Sequence, residues 1–253
     1  TWSLVAILVL GLAAMLGGWI YLQSLYRGIP SLPTNEQLWA KGREQAIEFV
    51  DRDGETIAIR GPRYGRAVEV EELPPHVPQA FIAAEDKRFY QHDGADTQAI
   101  IRALWTNFTS GETVSGASTI TQQLIKNLVL TPEQTLKRKA QEVRLARELE
   151  ERLSKDEILE LYLNRVYFGA GFYGLGAASR FYFGKPPEDL TIGEASLLAT
   201  LPQAPSRLAL TNNMGDAKVR QAYVLKEMVN SGFISQADAT AAAAEDIELA
   251  EPP

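Results

Sequence analysis

The chain contains no cysteine and only two histidines among its 253 residues. The missing thiols exclude disulfide bonds and thiolate metal sites, and two histidines are too few for a histidine-rich metal site. Positive charge is also scarce, because 25 Lys and Arg residues face 32 Asp and Glu residues and leave a formal net charge of -7. Nucleic-acid-binding domains usually carry a basic surface, so a general polyanion-binding function is not expected.

Charged residues are absent from residues 2–22, a run rich in Leu, Val, Ala and Ile. A helix of this length, at a rise of about 1.5 Å per residue, spans roughly the 30 Å hydrocarbon core of a bilayer. Aromatic residues lie near both ends of the run and Arg27 follows it, as expected at membrane interfaces. We therefore predict a transmembrane anchor over residues 1–26. A cleaved signal peptide is the alternative, with Ala13 and Ala14 near a cleavage site, although the apolar run is longer than a typical signal core.

Residues 27–75 are predicted to form a connector that includes a β-hairpin. Two alternating runs, residues 46–50 and 55–59, flank an Asp-Gly pair, which is a strong hairpin pattern. The rest of the chain is mainly helical in pattern. The clearest helices are predicted over residues 119–130, 132–153, 155–163, 192–201, 216–231 and 235–245. Two of these have the spacing of a capped N-terminus, with Ser154 three residues before Glu157 and Ser235 three residues before Asp238.

Glu85 is an acidic residue at a place where the local pattern favours an apolar one. On a continuous helix, Glu85, Phe89 and His92 would lie at i, i+4 and i+7 and would share one face. Burial beside apolar side chains raises the pKa of a carboxyl group toward the range that suits a general base. Glu85 is therefore a candidate base. A solvated acid, or one that pairs with Lys87 or Arg88, is the alternative interpretation.

A second polar cluster begins at Gly116, which permits a close backbone approach, and continues through Ser118 and Thr119, which can cap a helix. The N-terminus of such a helix attracts anions. One face of the predicted helix is polar and carries Thr119, Gln122, Gln123 and Lys126. The alternative is an ordinary capped amphipathic helix whose polar side is solvated.

Arg138 and Glu142 are spaced i, i+4 on the next predicted helix, and their face continues through apolar positions. Glu142 is therefore expected to point inward with its cation beside it. An ordinary surface ion pair is the alternative. The basic residues of this helix could also bind a phosphorylated group, since arginine contacts phosphate through two parallel hydrogen bonds. These residues are Lys137, Arg138, Lys139 and Arg144.

In their order and spacing, these segments resemble the five motifs of the family 51 peptidoglycan glycosyltransferases, which include class A penicillin-binding proteins and monofunctional transglycosylases. The first motif matches at Glu85, Asp86, Phe89, His92 and Gly94. The second matches at Gly116, Ser118, Thr119, Ile120, Gln122, Gln123, Lys126 and Asn127. The third matches at Arg138, Lys139 and Glu142, the fourth spans residues 158–185, and the fifth spans residues 190–206. Residues 76–210 are accordingly expected to form the glycosyltransferase domain.

The resemblance implies a mainly α fold, with a lysozyme-like large lobe, a small membrane-proximal lobe, an N-terminal transmembrane helix and a short β-hairpin. It implies that residues 211–253 form C-terminal helices that lead to a transpeptidase domain, as in the bifunctional members. The implied reaction polymerises lipid II into β-1,4-linked glycan strands by inverting transfer, with release of undecaprenyl pyrophosphate. The aromatic residues of the fourth motif are expected to belong to the core rather than to a sugar platform.

In that reaction Glu85 would be the general base, and Glu142 would act on the leaving-group side by orienting basic side chains or a metal ion. Asp86 would orient Glu85 or assist a metal ion. The residues that the motifs imply for substrate binding are Asp86, Phe89, His92, Gly116, Ser118, Thr119, Gln122, Gln123, Lys126, Asn127, Arg138 and Lys139. A divalent cation, Mg²⁺ or Mn²⁺, is the candidate cofactor, and no organic cofactor is expected.

The expected partners are lipid II, the lipid-linked nascent glycan, the membrane and other cell-wall synthesis proteins, with no nucleic acid. The expected location is the bacterial inner membrane, crossed once, with the catalytic domain on the periplasmic face. Residues 100–108 are a candidate membrane-dipping surface, and a helical core segment is the equal alternative.

A lytic enzyme and a non-catalytic scaffold are the rival functions. The anchor and the phosphate-binding residues argue against the first, and the presence of both Glu85 and Glu142 argues against the second.

Overall fold

The computed structural model describes residues 2–40, 47–52, 56–61, 63–110, 118–130 and 135–250. Helix α1, Trp2–Leu25, contains a 21-residue apolar stretch, Val5–Leu25, that is long enough to cross a membrane and has a mean hydropathy of 2.2. A signal sequence can meet the same criteria. The C-terminal end of α1 lies against a later helix, because Gln141 Nε2 donates to the carbonyl oxygens of Leu25 (3.3 Å) and Arg27 (3.5 Å).

The predicted hairpin is confirmed. After helix α2 (Asn35–Ala40), strand β1 (Ile47–Val50) pairs antiparallel with β2 (Thr56–Arg60), in a register that sets Ile47 opposite Arg60. The Asp53–Gly54 pair lies outside the described residues. A second, two-stranded pairing was not expected from the sequence. In it, β3 (Arg63–Tyr64) runs parallel to β4 (Phe172–Tyr173), a strand from the fourth motif.

The remaining described elements are helical. They are α3 (His76–Glu85), α4 (Thr97–Ser110), α5 (Ile120–Val129), α6 (Leu136–Glu150), α7 (Lys155–Leu163), α8 (Leu175–Phe183), α9 (Ile192–Leu198), α10 (Leu210–Asn230) and α11 (Gln236–Ala244). The caps predicted at Ser154 and Ser235 are confirmed. Each serine side chain accepts the backbone N–H of the acidic residue three positions later, and the side chain of that residue accepts the backbone N–H of the serine. Helix α6 starts later than predicted, because Thr135 caps it. Helix α10 starts earlier, with a kink at Asn213.

The prediction that Glu85, Phe89 and His92 share one helical face is wrong. Helix α3 ends at Glu85, and Asp86 leaves the helical conformation with φ −157°. The chain then forms a short 3₁₀ turn, Phe89–Gln91, before His92. Helix α3 ends at this point because of tertiary contacts. Asp86 accepts hydrogen bonds from the backbone N–H of Ile120 and from His92, and a helix that continued past Glu85 would move the Asp86 carboxylate away from these two donors.

One hydrophobic core joins these helices. Helix α3 packs against α9 and α10, and α5 packs against α6 and α7. Phe168, Phe172, Tyr182 and Phe183 of the fourth motif are buried, which agrees with the expectation that these aromatic residues belong to the core. In α4, by contrast, Ile101 and Trp105 are 61% and 70% exposed, so these two side chains lie outside the core.

Gly94, the last residue of the first motif, lies against the backbone of α6. Its φ is +76°, and a Cβ atom at this position would lie 2.6 Å from the backbone nitrogen of Arg147. Its carbonyl oxygen accepts a 2.7 Å hydrogen bond from Thr119 Oγ1, at the start of α5. The close approach that only glycine permits therefore joins the first motif to both α5 and α6.

We expect Gly94→Ala to lower the free energy of unfolding by more than Gly232→Ala. Gly232 has a nearly equal φ of +72° but no atom within 4 Å of the position of its Cβ, so this control measures the cost of the backbone conformation alone, about 1–2 kcal/mol. Gly94→Ala adds a clash with the α6 backbone. Denaturant unfolding of both variants measures the difference. Equal losses of unfolding free energy would show that the contact of Gly94 with α6 does not add to the cost of the substitution.

Candidate active site

A cleft of about 1030 Å³ lies where the end of α3, helices α4, α5 and α6, the turn after α9 and helix α10 meet. It brings together residues of the first three motifs that are up to 57 positions apart in sequence, from Glu85 to Glu142. The predicted site residues that line it are Glu85, Asp86, Ser118, Thr119, Gln122, Gln123, Lys126, Arg138, Lys139 and Glu142.

Among the described residues, Glu85 has one hydrogen bond, in which Gln123 Nε2 donates to Oε2 at 2.7 Å. Its other oxygen, Oε1, is buried and has no hydrogen-bond partner in that part of the chain. Burial raises the pKa of this carboxyl group above its ordinary value of 4.5, and the Gln123 bond and the charges of Arg220 and Lys126 offset the increase only in part. A carboxylate in this state is a stronger base than a solvated one.

The alternative in which Glu85 pairs with its basic neighbours is not what the structure shows. Lys87 pairs with Glu227 of α10. Arg88 forms a two-pronged contact with Asp96, with Nε to Oδ2 at 2.9 Å and Nη2 to Oδ1 at 2.6 Å. Both neighbouring cations are therefore directed to other carboxylates, and Glu85 keeps an oxygen to which no described residue donates a hydrogen bond.

Asp86 is a buried junction beside Glu85. Both of its oxygens lie 3.0 Å from His92 Nε2, and Oδ2 also accepts the backbone N–H of Ile120 at 3.1 Å. Ile120 is the first residue of α5, where backbone N–H groups lack partners within the helix. Asp86 therefore connects the end of α3 to the start of α5, which places Gln123, one turn further along, next to Glu85.

Lys139 connects α6 to the N-terminus of α5. Its ammonium group donates to Ser118 Oγ (2.7 Å), Gln122 Oε1 (3.0 Å) and Glu142 Oε2 (2.9 Å). Thr119 caps α5, and its side chain accepts the backbone N–H of Gln122 at 3.1 Å. The N-terminal end of a helix and a lysine thus face the same part of the cleft, an arrangement that attracts anions.

Glu142 points inward, as predicted. It is 3% exposed and contacts two cations, Lys139 at 2.9 Å and Arg138 Nη2 at 3.2 Å from Oε1. A buried carboxylate is stable only when it is paired. Glu142 therefore fixes the positions in which Lys139 and Arg138 place their positive charges at the cleft.

Four of the predicted site residues are not among those that line the cleft. Phe89 is fully buried in the core, the His92 side chain is 5% exposed against Asp86, and Asn127 lies further along α5. Gly116 lies outside the described residues. The structure gives Phe89 and His92 packing contacts, and a role for any of the four in substrate binding stays a prediction.

Sequence reasoning missed the contribution of α10 and part of that of α4. Arg220 and Tyr223 of α10 and Arg102 of α4 line the cleft. No local pattern marks them, since each is an ordinary residue of a helix with mixed polarity. Only the packing of α10 against α3 brings Arg220 close to Glu85.

The described side chains do not offer a ready metal site. Among the described residues, no group of three or more His, Asp or Glu side chains is placed to hold a metal ion. Both oxygens of Asp86 already accept hydrogen bonds, and Glu142 already contacts two cations. No step proposed below passes through a metal ion, and the divalent cation stays a prediction from the family resemblance.

Comparison with known proteins identifies relatives of this chain. A family model described as Transglycosylase matches residues 53–229. Penicillin-binding protein 1A of Escherichia coli (strain K12) is 44% identical over 230 residues, which are 90% of this chain and 27% of that protein. Penicillin-binding protein 1A of Aquifex aeolicus (strain VF5) is 40% identical over 231 residues, which are 91% of this chain and 31% of that protein. The chain thus spans 27% to 31% of the length of these two relatives.

The fold also has a counterpart among solved structures. The crystal structure of Penicillin-Binding Protein 1A from Haemophilus influenzae matches with a TM-score of 0.52 and 23% sequence identity, over 83% of this chain and 22% of that one. The mainly α architecture with a small sheet and an N-terminal apolar helix is therefore confirmed.

We expect Glu85→Gln to raise the free energy of unfolding at neutral pH, because the folded state holds this carboxyl group with a raised pKa and ionises it at a cost. The unfolded chain loses the proton first, near the ordinary value of 4.5, so the stability due to Glu85 falls as the pH rises from 4.5 through the folded pKa. The gain should therefore shrink below pH 4.5.

The control for this prediction is Glu148→Gln, which makes the same chemical change at an exposed position of α6. Denaturant unfolding of both variants and the parent protein, at neutral pH and below pH 4.5, measures the effect. A gain for Glu85→Gln that does not change with pH would contradict the burial argument.

Proposed function

The chain belongs to the transglycosylase family, and from this membership and the cleft we propose that it is a peptidoglycan glycosyltransferase that polymerises lipid II. The observation that carries the proposal is the arrangement of charge in the cleft. Glu85, whose buried Oε1 has no partner among the described residues, shares the cleft with the cations Lys139 and Arg138, which Glu142 holds in place. Joining two lipid-linked sugars requires both a proton acceptor and a site for a departing pyrophosphate.

Glu85 is the proton acceptor in this proposal. The 4-hydroxyl of the acceptor sugar attacks C1 of the donor sugar, the new O4–C1 bond forms, and the bond from C1 to the pyrophosphate oxygen breaks. The hydroxyl proton passes to Glu85, whose Oε1 accepts no hydrogen bond from the described residues. The attack comes from the face opposite to the leaving group, so the α-linked donor becomes a β-1,4 product.

The negative charge that develops on the pyrophosphate is stabilised by cations and by a helix terminus. Lys139 lies against the capped start of α5, and Arg138 and Lys126 line the same cleft. Arginine contacts phosphate through two N–H groups and lysine as a point charge. Glu142 contributes by orientation, because an unshielded carboxylate would repel the pyrophosphate.

The position of the apolar helix supports a membrane-bound substrate. Helix α1 ends against α6. There Gln141 donates to the carbonyl oxygens of Leu25 and Arg27, and the Arg144 guanidinium carbon lies 5.2 Å from the ring centroid of Tyr26. Helix α6 also carries Arg138, Lys139 and Glu142 to the cleft. An anchor at this place would keep the cleft close to the membrane, where lipid-linked sugars are confined. We propose a single-pass protein of the inner membrane with the cleft on the periplasmic side.

We expect Glu85→Gln to reduce the polymerisation of labelled lipid II in detergent micelles by at least about a hundredfold, the usual contribution of a general base. Glu148→Gln, at an exposed position outside the cleft, should retain activity. Gel electrophoresis of the glycan strands measures both. Full turnover by Glu85→Gln would refute the assignment of the base.

The same preparation also distinguishes the lytic alternative. If the protein released fragments from preformed peptidoglycan and left lipid II unchanged, the proposed function would be wrong. Loss of activity in Glu85→Gln, together with thermal unfolding no lower than that of the parent protein and unchanged membrane attachment, would support it.

A further inference from the structure

Arg220 reaches the cleft from α10, beyond the segments that the motifs cover. Its guanidinium carbon lies 4.2 Å from the ring centroid of Tyr223, a cation–π contact that fixes its place. Lys87 Nζ lies 5.4 Å from the same ring and pairs with Glu227 of α10. Since Lys87 follows Glu85 by two residues, this contact fixes α10 relative to the end of α3.

The charge of Arg220 has no anionic partner in the described part of the chain. Among the residues that the structure describes, no carboxylate lies within ion-pair distance of it, and its Nε is buried without a hydrogen-bond partner. A cation that is partly withdrawn from water without a partner is unfavourable for folding. By contrast, Arg88 and Arg138 each contact a carboxylate. The unfavourable folding free energy of an unpaired Arg220 is explained if the charge of Arg220 acts on the reaction.

We propose that Arg220 is a positioning residue for Glu85: held on the ring of Tyr223, its permanent charge keeps Glu85 ionised while leaving the carboxylate oxygens free. The inference rests on the proposed function, in which Glu85 is the base. A direct ion pair would occupy Oε1, the oxygen that has no partner. A cation held on an aromatic ring stabilises the negative charge of Glu85 electrostatically without forming an ion pair with Oε1.

The charged and titratable groups around Glu85 agree with this role. Burial raises its pKa and Asp86 raises it further, whereas the Gln123 hydrogen bond, Arg220 and Lys126 lower it. Arg220 has a larger effect than Lys126, which is exposed at the surface of α5. In α7, burial and then the charges of Glu85 and Asp86 raise the pKa of the Tyr162 hydroxyl. Arginine is suited to this task because it keeps its proton throughout the pH range in which a carboxyl group titrates.

The charge of Arg220 affects the transfer of the proton to Glu85. The hydroxyl proton of the acceptor can pass to Glu85 only when Glu85 is ionised. Burial makes Glu85 a stronger base but also favours its protonated form, so burial alone would limit the reaction to higher pH. The charge of Arg220 opposes this effect and extends the active range downward.

The test compares Arg220→Met, which keeps most of the side-chain volume but removes the charge, with Arg220→Lys, which keeps a charge. We expect the acid limb of kcat/KM for lipid II polymerisation to move to higher pH in Arg220→Met. The loss should be largest at the acid end of the profile and should become small at its alkaline end. Arg220→Lys should restore part of the lost activity at the lower pH. Arg207→Met is the matched control, since Arg207 is exposed, pairs with Asp216 and lies outside the cleft.

A loss of activity in Arg220→Met that is the same at every pH would overturn the proposal, because a merely structural role predicts this result. An unchanged pH profile would overturn it as well. Unfolding gives a readout that does not depend on activity. The stabilisation by Glu85→Gln at neutral pH should be larger in the Arg220→Met background, and an equal stabilisation would also refute the proposal.

The two proposals fail in different ways. If the parent protein does not polymerise lipid II, the proposed function is wrong, but the unfolding comparison still tests whether Arg220 acts on Glu85. If the parent protein is active and Glu85→Gln is not, while Arg220→Met leaves the acid limb in place, only the role of Arg220 is refuted.

Discussion

The buried carboxylate of Asp86 is the contact on which the geometry of the cleft depends. It accepts the backbone N–H of Ile120 at 3.1 Å and lies 3.0 Å from His92 Nε2. These contacts end α3 at Glu85 and hold the start of α5 beside it. As a result, Gln123 lies one turn into α5 with its amide 2.7 Å from Glu85. Loss of the Asp86 contact would separate the proposed base from the helix that orients it.

Burial has opposite consequences for the two glutamates of the cleft. Glu142 contacts two cations, so its negative charge is compensated and it serves to hold Lys139 and Arg138. Within the described ranges, Glu85 has only the amide of Gln123 as a hydrogen-bond partner, and its charge remains partly uncompensated. The same physical effect, the cost of a charge away from water, therefore makes Glu142 depend on its two cations and makes Glu85 a stronger base. Arg220, held at a distance by Tyr223, limits that cost without removing it.

Local patterns predicted several details of the structure correctly. The spacing of Ser154 and Glu157 predicted a capped helix because both partners of the cap lie within one turn. The i, i+4 spacing of Arg138 and Glu142, on a face that continues through apolar residues, predicted an inward ion pair for the same reason. The prediction failed where periodicity was extended past Glu85, since helical spacing alone does not reveal that Asp86 has a partner 34 residues away.

The sequence by itself determined the mainly helical fold, the apolar N-terminal helix, the hairpin and the set of polar residues in the first three motifs. These depend on hydrophobic periodicity, turn residues and caps, all of which act over a few neighbouring positions. Tertiary structure alone decided which of those polar residues face the cleft, that Lys87 and Arg88 pair away from Glu85, and that Arg220 comes near it. The ionisation of Glu85 is likewise a tertiary property, because it depends on burial and on charges from α5 and α10 that are distant in the chain.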